Sequence, residues 1–230
     1  MTSARRKAYL EAMQIDTWRR RGSPAPAPAP STVTVPAQSA PGEAQTADWA
    51  GLERLVVECR RCALCETRRH TVFGVGDRRA NWFVVGEAPG ADEDRQGEPF
   101  VGRAGQLLNA MLRAIGLPRD QVFIANVLKC RPPNNRDPLA REAAACLPYL
   151  ERQLALVAPR LVLIVGRIAA QNLLATDAPL AQLRGRVHRR GGAGPPIVVT
   201  YHPAYLLRTP SDKRKAWEDL KFAREVAGRG

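Results

Sequence analysis

Four cysteines are spaced so that two stretches of chain could converge on one metal centre. Cys59 and Cys62 form a C-x2-C step, Cys130 follows an apolar run, and Cys146 lies in the next helical stretch. Four thiolates from two regions can enclose a zinc ion or a [4Fe-4S] cluster; a zinc ribbon more often carries a second C-x2-C, which favours the cluster. The plainer alternative is that Cys130 and Cys146 are buried thiols without a ligand. Cys65, at the same x2 spacing from Cys62, offers a competing ligand. A second concentration of chemistry is the turn GEAPGADED at 86–94. Gly86 and Gly90 allow close backbone approach, Glu87, Asp92, Glu93 and Asp94 supply carboxylates, and Phe100 follows with an aromatic face. The turn has no P-loop lysine and sets four acids where a phosphate would sit, which disfavours phosphate binding.

These residues need a scaffold that brings them to one edge. The apolar run 82–85 reads as a buried strand, and Leu107, Leu108, Met111, Leu112 and Ile115 recur at helical spacing over 103–115. Further apolar runs at 122–128, 161–165 and 197–200 alternate with helical patterns at 139–157, 167–174 and 211–226. Strands that are apolar throughout and alternate with helices predict an α/β fold with a parallel sheet covered on both faces. In such a fold ligands bind at the carboxyl ends of the strands. Glu87, Asn126 and His202 each follow or end a predicted strand, so all three are expected at that edge, around Phe100.

Composition narrows the class. The chain has 230 residues and a net charge of +13; residues 1–47 carry six basic and three acidic groups, leaving +10 on 48–230. That charge points to a polyanion, most simply nucleic acid. No apolar run is long enough to cross a membrane, and an odd number of cysteines argues against a disulfide framework, so a cytoplasmic, nucleoid-associated monomer is expected. Residues 1–47 form an extension: a possible amphipathic helix over 3–21 with Tyr9, Leu10, Met13 and Trp18, then a Pro/Ala-rich linker expected to be disordered. The helix reads either as a docking peptide or as a basic tail. Its YLxAMxIxxW pattern resembles, over ten positions, the N-terminal arm of the psi subunit of bacterial clamp loaders, which implies a replication-machinery partner.

The segments GEAPGADED (86–94), GEPFVGRAGQLLN (97–109), NVLKCRPPNNRDP (126–138) and HPAYLLR (202–208) together resemble the family 4 uracil-DNA glycosylases, the iron-sulfur branch of their superfamily. The resemblance runs from about Cys59 to the last helix. It implies a three-layer α/β/α sandwich with a four-stranded parallel sheet over 48–230, and a [4Fe-4S] cluster held by Cys59, Cys62, Cys130 and Cys146, leaving Cys65 outside the ligand set. It also implies uracil-containing DNA as substrate and base excision repair as the setting. In the site, Gly86 and Ala88 shape the pocket, Phe100 stacks on a flipped base, Asn126 reads its Watson-Crick edge and His202 stabilises charge at uracil O2. Ala88 stands where better-known relatives have an Asp, so the water-orienting carboxylate falls to Glu87 or Glu93. Gly90 replaces the aromatic that excludes thymine's methyl group in those enzymes. Leu206 is the implied wedge filling the gap in the duplex, and Arg208 and the arginines Arg184, Arg186, Arg189 and Arg190 are the implied phosphate contacts, a solvated basic face being the plainer reading of the latter four. A covalently trapping relative carries a reactive His after the second strand; this chain has CRPPNNRDP at 130–138, so free uracil and an abasic site are the expected products. The readings from other classes are a non-catalytic iron-sulfur nucleic-acid-binding protein and a zinc-bearing nucleotide hydrolase.

Overall fold

A computed structural model of the chain describes residues 42–192 and 194–228, together with the backbone of 33–35. The strands are β1 (Val33–Val35), β2 (Val75–Gly76), β3 (Trp82–Gly86), β4 (Val122–Asn126), β5 (Leu161–Val165), β6 (His188–Arg190) and β7 (Ile197–Thr200). The main helices are α1 (Trp49–Val57), α2 (Ala91–Gln96), α3 (Arg103–Ala114), α4 (Ala140–Val157), α5 (Arg167–Leu174), α6 (Pro203–Arg208) and α7 (Lys213–Gly228). Asp48 caps α1 by accepting from the Gly51 N–H at 2.8 Å, which satisfies one of the donors a helix start leaves open.

All strands join one sheet in the order β1-β6-β7-β5-β3-β4-β2. The expectation of four strands is therefore corrected to a seven-stranded mixed sheet. Its centre, β7-β5-β3-β4, is parallel, while β2 runs antiparallel to β4 and β6 antiparallel to β7. The extra strands have two or three residues each, too few for a periodic signal in the sequence. The linker expectation is also corrected at Val33–Val35, a β-branched triplet that pairs parallel with β6. The predicted docking helix over 3–21 lies outside the described residues.

Alternation along the central strands splits the core in two. Phe83, Val85, Phe123, Ala125, Val162 and Ile164 face α4 and α5. Trp82, Val84, Val122, Ile124, Leu161 and Leu163 face α3 and α7. A third apolar cluster, with Leu52, Val56, Leu64, Leu128 and Tyr149, surrounds Cys130 and Cys146 beneath α1. No helix among the described residues is long and apolar enough to cross a membrane.

Candidate functional site

A cavity of about 440 Å³ opens at the carboxyl edge of the central strands, lined by Glu87, Ala88, Gly90, Glu93, Phe100, Asn126 and His202, with Arg136, Tyr205 and Arg208 at its sides. Asn126 ends β4 and pairs in register with Gly86 at the end of β3. The Asn126 side chain is 1% exposed. Its Oδ1 is the one buried side-chain polar atom among the described residues with no hydrogen-bond partner. An unmet buried acceptor costs about 1–3 kcal/mol, so its retention at a cavity wall points to a ligand N–H. Gly86 makes the space: a Cβ there would collide with Asn126 Oδ1 and stand 2.5 Å from Phe100 Cζ.

Phe100 is held in a left-handed conformation, φ 55°, which a bulky residue adopts only under constraint. The constraint comes from both sides. Arg119 Nη2 donates to Pro99 O at 2.5 Å and to Glu98 Oε1 at 2.9 Å. Behind Phe100, Gly105 leaves α3 free to press on its carbonyl, where any Cβ would overlap. Arg119 escaped sequence reading because nothing in its local pattern connects it to a loop twenty residues away.

The Phe100 and His202 rings lie 5.8 Å apart, centroid to centroid, at 32°. His202 caps α6, its Nδ1 accepting from the Ala204 N–H at 3.1 Å. With Nδ1 accepting, the neutral ring carries its proton on Nε2. Burial, aided by Arg208 and opposed by Glu93, lowers the imidazole pKa to about 4.

The four acids of the loop separate clearly. Asp92 pairs with Arg95, and Asp94 accepts from the Arg69 N–H at 2.9 Å. Glu93 is spent on backbone: Oε2 accepts from the Gly90 N–H at 3.0 Å, Oε1 from those of Val101 and Gly102 at 3.0 and 3.1 Å. It fixes the loop around the cavity. No hydrogen bond to the Glu87 carboxylate is made among the described residues. Burial first, then the nearby Asp137, raises its pKa to about 7, against the pull of Arg167.

Two expectations for the rim change. Leu206 is 1% exposed and Leu207 36%, so the residue implied as a wedge is packed inside: the phase of α6 turns it inward and its neighbour out. Arg184 is committed to Asp219 at 2.7 Å and lies over the Tyr201 ring. Arg189 donates to Gly194 O, and Arg190 pairs with Glu151. Arg186 is exposed and makes no ion pair among the described residues, while Arg208 stands at the cavity itself. Arg136, whose guanidinium is held by the Glu142 carboxylate at 2.6 and 2.8 Å, and Tyr205 are wall residues that lie within the quoted segments 126–138 and 202–208 but had no role assigned from the sequence.

All five cysteines line a second, narrower cavity together with Arg68, Lys129 and Tyr149. Among the described residues no three His, Cys, Asp or Glu side chains stand close enough to grip a single metal ion. The cavity nonetheless has sulfur ligands and donors to them: Arg68 Nη1 lies 3.1 Å from Cys130 Sγ, and the Lys129 N–H 3.2 Å from Cys146 Sγ. Burial pushes the Cys146 thiol up to about 12. Lys129 connects the two cavities. Its buried Nζ donates to Asn126 O at 2.9 Å and to Gln153 Oε1 at 2.6 Å, and Gln153 Nε2 donates to Phe73 O at 2.9 Å.

A family model described as the uracil DNA glycosylase superfamily matches residues 73–221. The type-4 uracil-DNA glycosylase of Archaeoglobus fulgidus is 44% identical over 182 residues, covering 76% of this chain and 92% of the relative. That of Thermotoga maritima is 39% identical over 172 residues, with coverage of 74% and 89%. A type-5 uracil-DNA glycosylase of Pyrobaculum aerophilum is 31% identical over 186 residues, with coverage of 66% and 80%.

Proposed function

The chain belongs to the uracil-DNA glycosylase superfamily and, within it, to the type-4 enzymes, and from that premise we propose that it hydrolyses the bond between uracil and deoxyribose in DNA. It releases free uracil and leaves an abasic site, the opening step of base excision repair. The single observation that carries the site assignment is the unpartnered Oδ1 of Asn126, an acceptor waiting for a donor on a planar ligand beside Phe100.

The target nucleotide leaves the base stack, because its glycosidic bond is inaccessible within a duplex. Phe100 stacks on the uracil. Asn126 Oδ1 accepts from N3–H, and its amide donates to O4; cytosine presents the opposite polarity at both positions. Cleavage sends the bonding electrons of C1′–N1 onto the base and leaves oxocarbenium character on the sugar. The Nε2–H of neutral His202 donates to O2, where negative charge collects, as a preorganised donor should. Glu87 orients water toward C1′ and takes its proton as the new C–O bond forms. Glu93, its oxygens held by backbone, positions the loop. Arg208 and Arg186 contact phosphates, and Leu207 replaces Leu206 as the side chain that enters the vacated stack. The Lys129 amine is hydrogen-bonded away from the cavity, in keeping with hydrolysis without a lyase step.

The second cavity suits a [4Fe-4S] cluster held by Cys59, Cys62, Cys130 and Cys146, with sulfur donors spread around a wall rather than gathered on one point. Bound there, the cluster would supply a cross-link among the 59–65 segment, the loop that follows β4, and α4. Purified protein is then yellow-brown with a broad absorption shoulder, and Cys146→Ala loses the colour; zinc gives no such band, so a colourless protein with equimolar zinc would overturn the assignment.

The direct test is alkali-dependent cleavage of a labelled strand bearing one uracil, with thymine in its place as control. Nicks at uracil alone establish the reaction; an adduct that survives denaturation, or DNA binding with no nicks, would reject it. Gly86→Ala is expected to lower kcat/KM about 10²-fold, since a reacting group displaced by an ångström costs that much. Activity equal to wild type would show that Phe100 and Asn126 do not need their present positions.

A further inference from the structure

The outer face of α7 plays no part in the cavity, yet it is chemically specific. Ala216, Asp219, Leu220 and Ala223 are its buried positions. Trp217 is 41% exposed, and Lys213, Arg214, Lys221 and Arg224 are all exposed. At 3.6 residues per turn these five side chains fall within about 100° of arc, with Trp217 at its middle. The acids Glu218 and Glu225 lie beyond the edge of that arc. Of the five, Arg214 makes a long, exposed pair with Glu218 at 3.7 Å, which contributes little.

The stripe begins at the cavity mouth. Arg208 lines the cavity, and the turn Pro210–Asp212 joins it to Lys213. That turn is tied back to the site by Tyr205 Oη, which donates to Asp212 Oδ2 at 2.6 Å, and forward to α7 by Lys215 Nζ, 2.9 Å from Asp212 Oδ1. From Lys213 to Arg224 the face extends about 16 Å, enough for a few nucleotides.

We propose that this face of α7 is a track for unpaired DNA flanking the target uracil, with Trp217 stacking on a base and Lys213, Arg214, Lys221 and Arg224 neutralising phosphates. The inference rests on the glycosylase reading for its ligand. Charge alone would suit any polyanion. What selects a single strand is the indole set among the cations, because an aromatic face adds stacking only where a base face is open. A duplex passing over the same stripe would meet the cations and leave the indole unused.

The test uses the full chain and two labelled single strands. One is about fifteen nucleotides long with uracil near one end, prepared in both polarities; the other spans only the uracil and its immediate neighbours. Binding is read by anisotropy, uracil release separately. Trp217→Ala should weaken binding of the long strand about tenfold in one polarity while leaving the short strand's Kd and turnover unchanged, and Trp217→Tyr should restore most of it. Lys213→Ala with Lys221→Ala should reduce the salt slope of long-strand binding by about 0.7 for each phosphate that is no longer neutralised. Equal effects on long and short strands, an effect on duplex DNA alone, or no effect on any DNA would overturn the proposal; the last would leave a protein partner as the occupant of the face. Failure of uracil release from the short strand by wild type would instead strike the glycosylase reading, whatever the length dependence of binding.

Discussion

Asn126→Ala is expected to remove uracil excision by about 10²–10³-fold in kcat/KM, the equivalent of about 3–4 kcal/mol of transition-state stabilisation. The magnitude follows from two hydrogen bonds removed from a desolvated site whose acceptor has no other use. Because truncation also removes that orphaned acceptor, the folded protein should lose no stability beyond the small cavity created, and Tm should stay within a few degrees of wild type. A variant that keeps full activity would take the base-reading role away from β4. A variant that loses activity only through unfolding would leave the role unproved, so its near-ultraviolet spectrum is measured alongside; Asn126→Gln, which keeps the amide but overfills the space cleared by Gly86, should be as inactive as the alanine.

Glu87→Gln is the second large effect, about 10²–10⁴-fold in kcat, the range for loss of a positioned base. Its pH profile is the sharper readout. With the Glu87 pKa raised to about 7, wild-type activity should fall with unit slope as pH drops below neutrality, because the protonated acid cannot accept from water. His202, neutral down to about pH 4, adds nothing to that limb. The glutamine variant should show low activity with the limb gone. Asp137→Asn should move the limb to lower pH, since Asp137 raises the Glu87 pKa. A limb that persists in Glu87→Gln would assign the base elsewhere. Stability follows different signs. The unfolded chain takes up a proton at His202 between pH 6.5 and about 4, so that group costs stability as pH falls through the window. Glu87, with its folded pKa raised, costs stability as pH rises toward 7. The two oppose one another, so the rate should be far more sensitive to pH than the fold.

The central strands and long helices were legible because their apolar spacing is strong and uninterrupted: 161–165 and 167–174 appear in the structure with the bounds read from sequence. Helix α2 was not, since ADEDRQ at 91–96 has no apolar period and its acids read as loop chemistry. The same blindness left Glu87 and Glu93 as equals. Both are carboxylates on one glycine-rich turn, and only the backbone donors gathered by Glu93 tell a scaffold acid from a free one. Leu206 and Leu207 differ by one position on a six-residue helix, where the sequence offers no phase strong enough to say which faces out. The arginines at 184–190 looked alike as charge; their partners Asp219 and Glu151 come from elements distant in sequence.

Asn126 to Cys130 is a run of five residues in which one end lines the first cavity and the other the second, and Lys129 between them donates its Nζ to Asn126 O and its backbone N–H to Cys146 Sγ. The two cavities are therefore not separable modules. Transplanting this run into another scaffold would carry a thiol and a buried amine with it, and a one-residue insertion anywhere in it would put both cavities out of register at once. Anyone seeking to change the lesion this chain removes has more freedom at the exposed rim of α6, where Leu207 stands, than in the run that begins at Asn126.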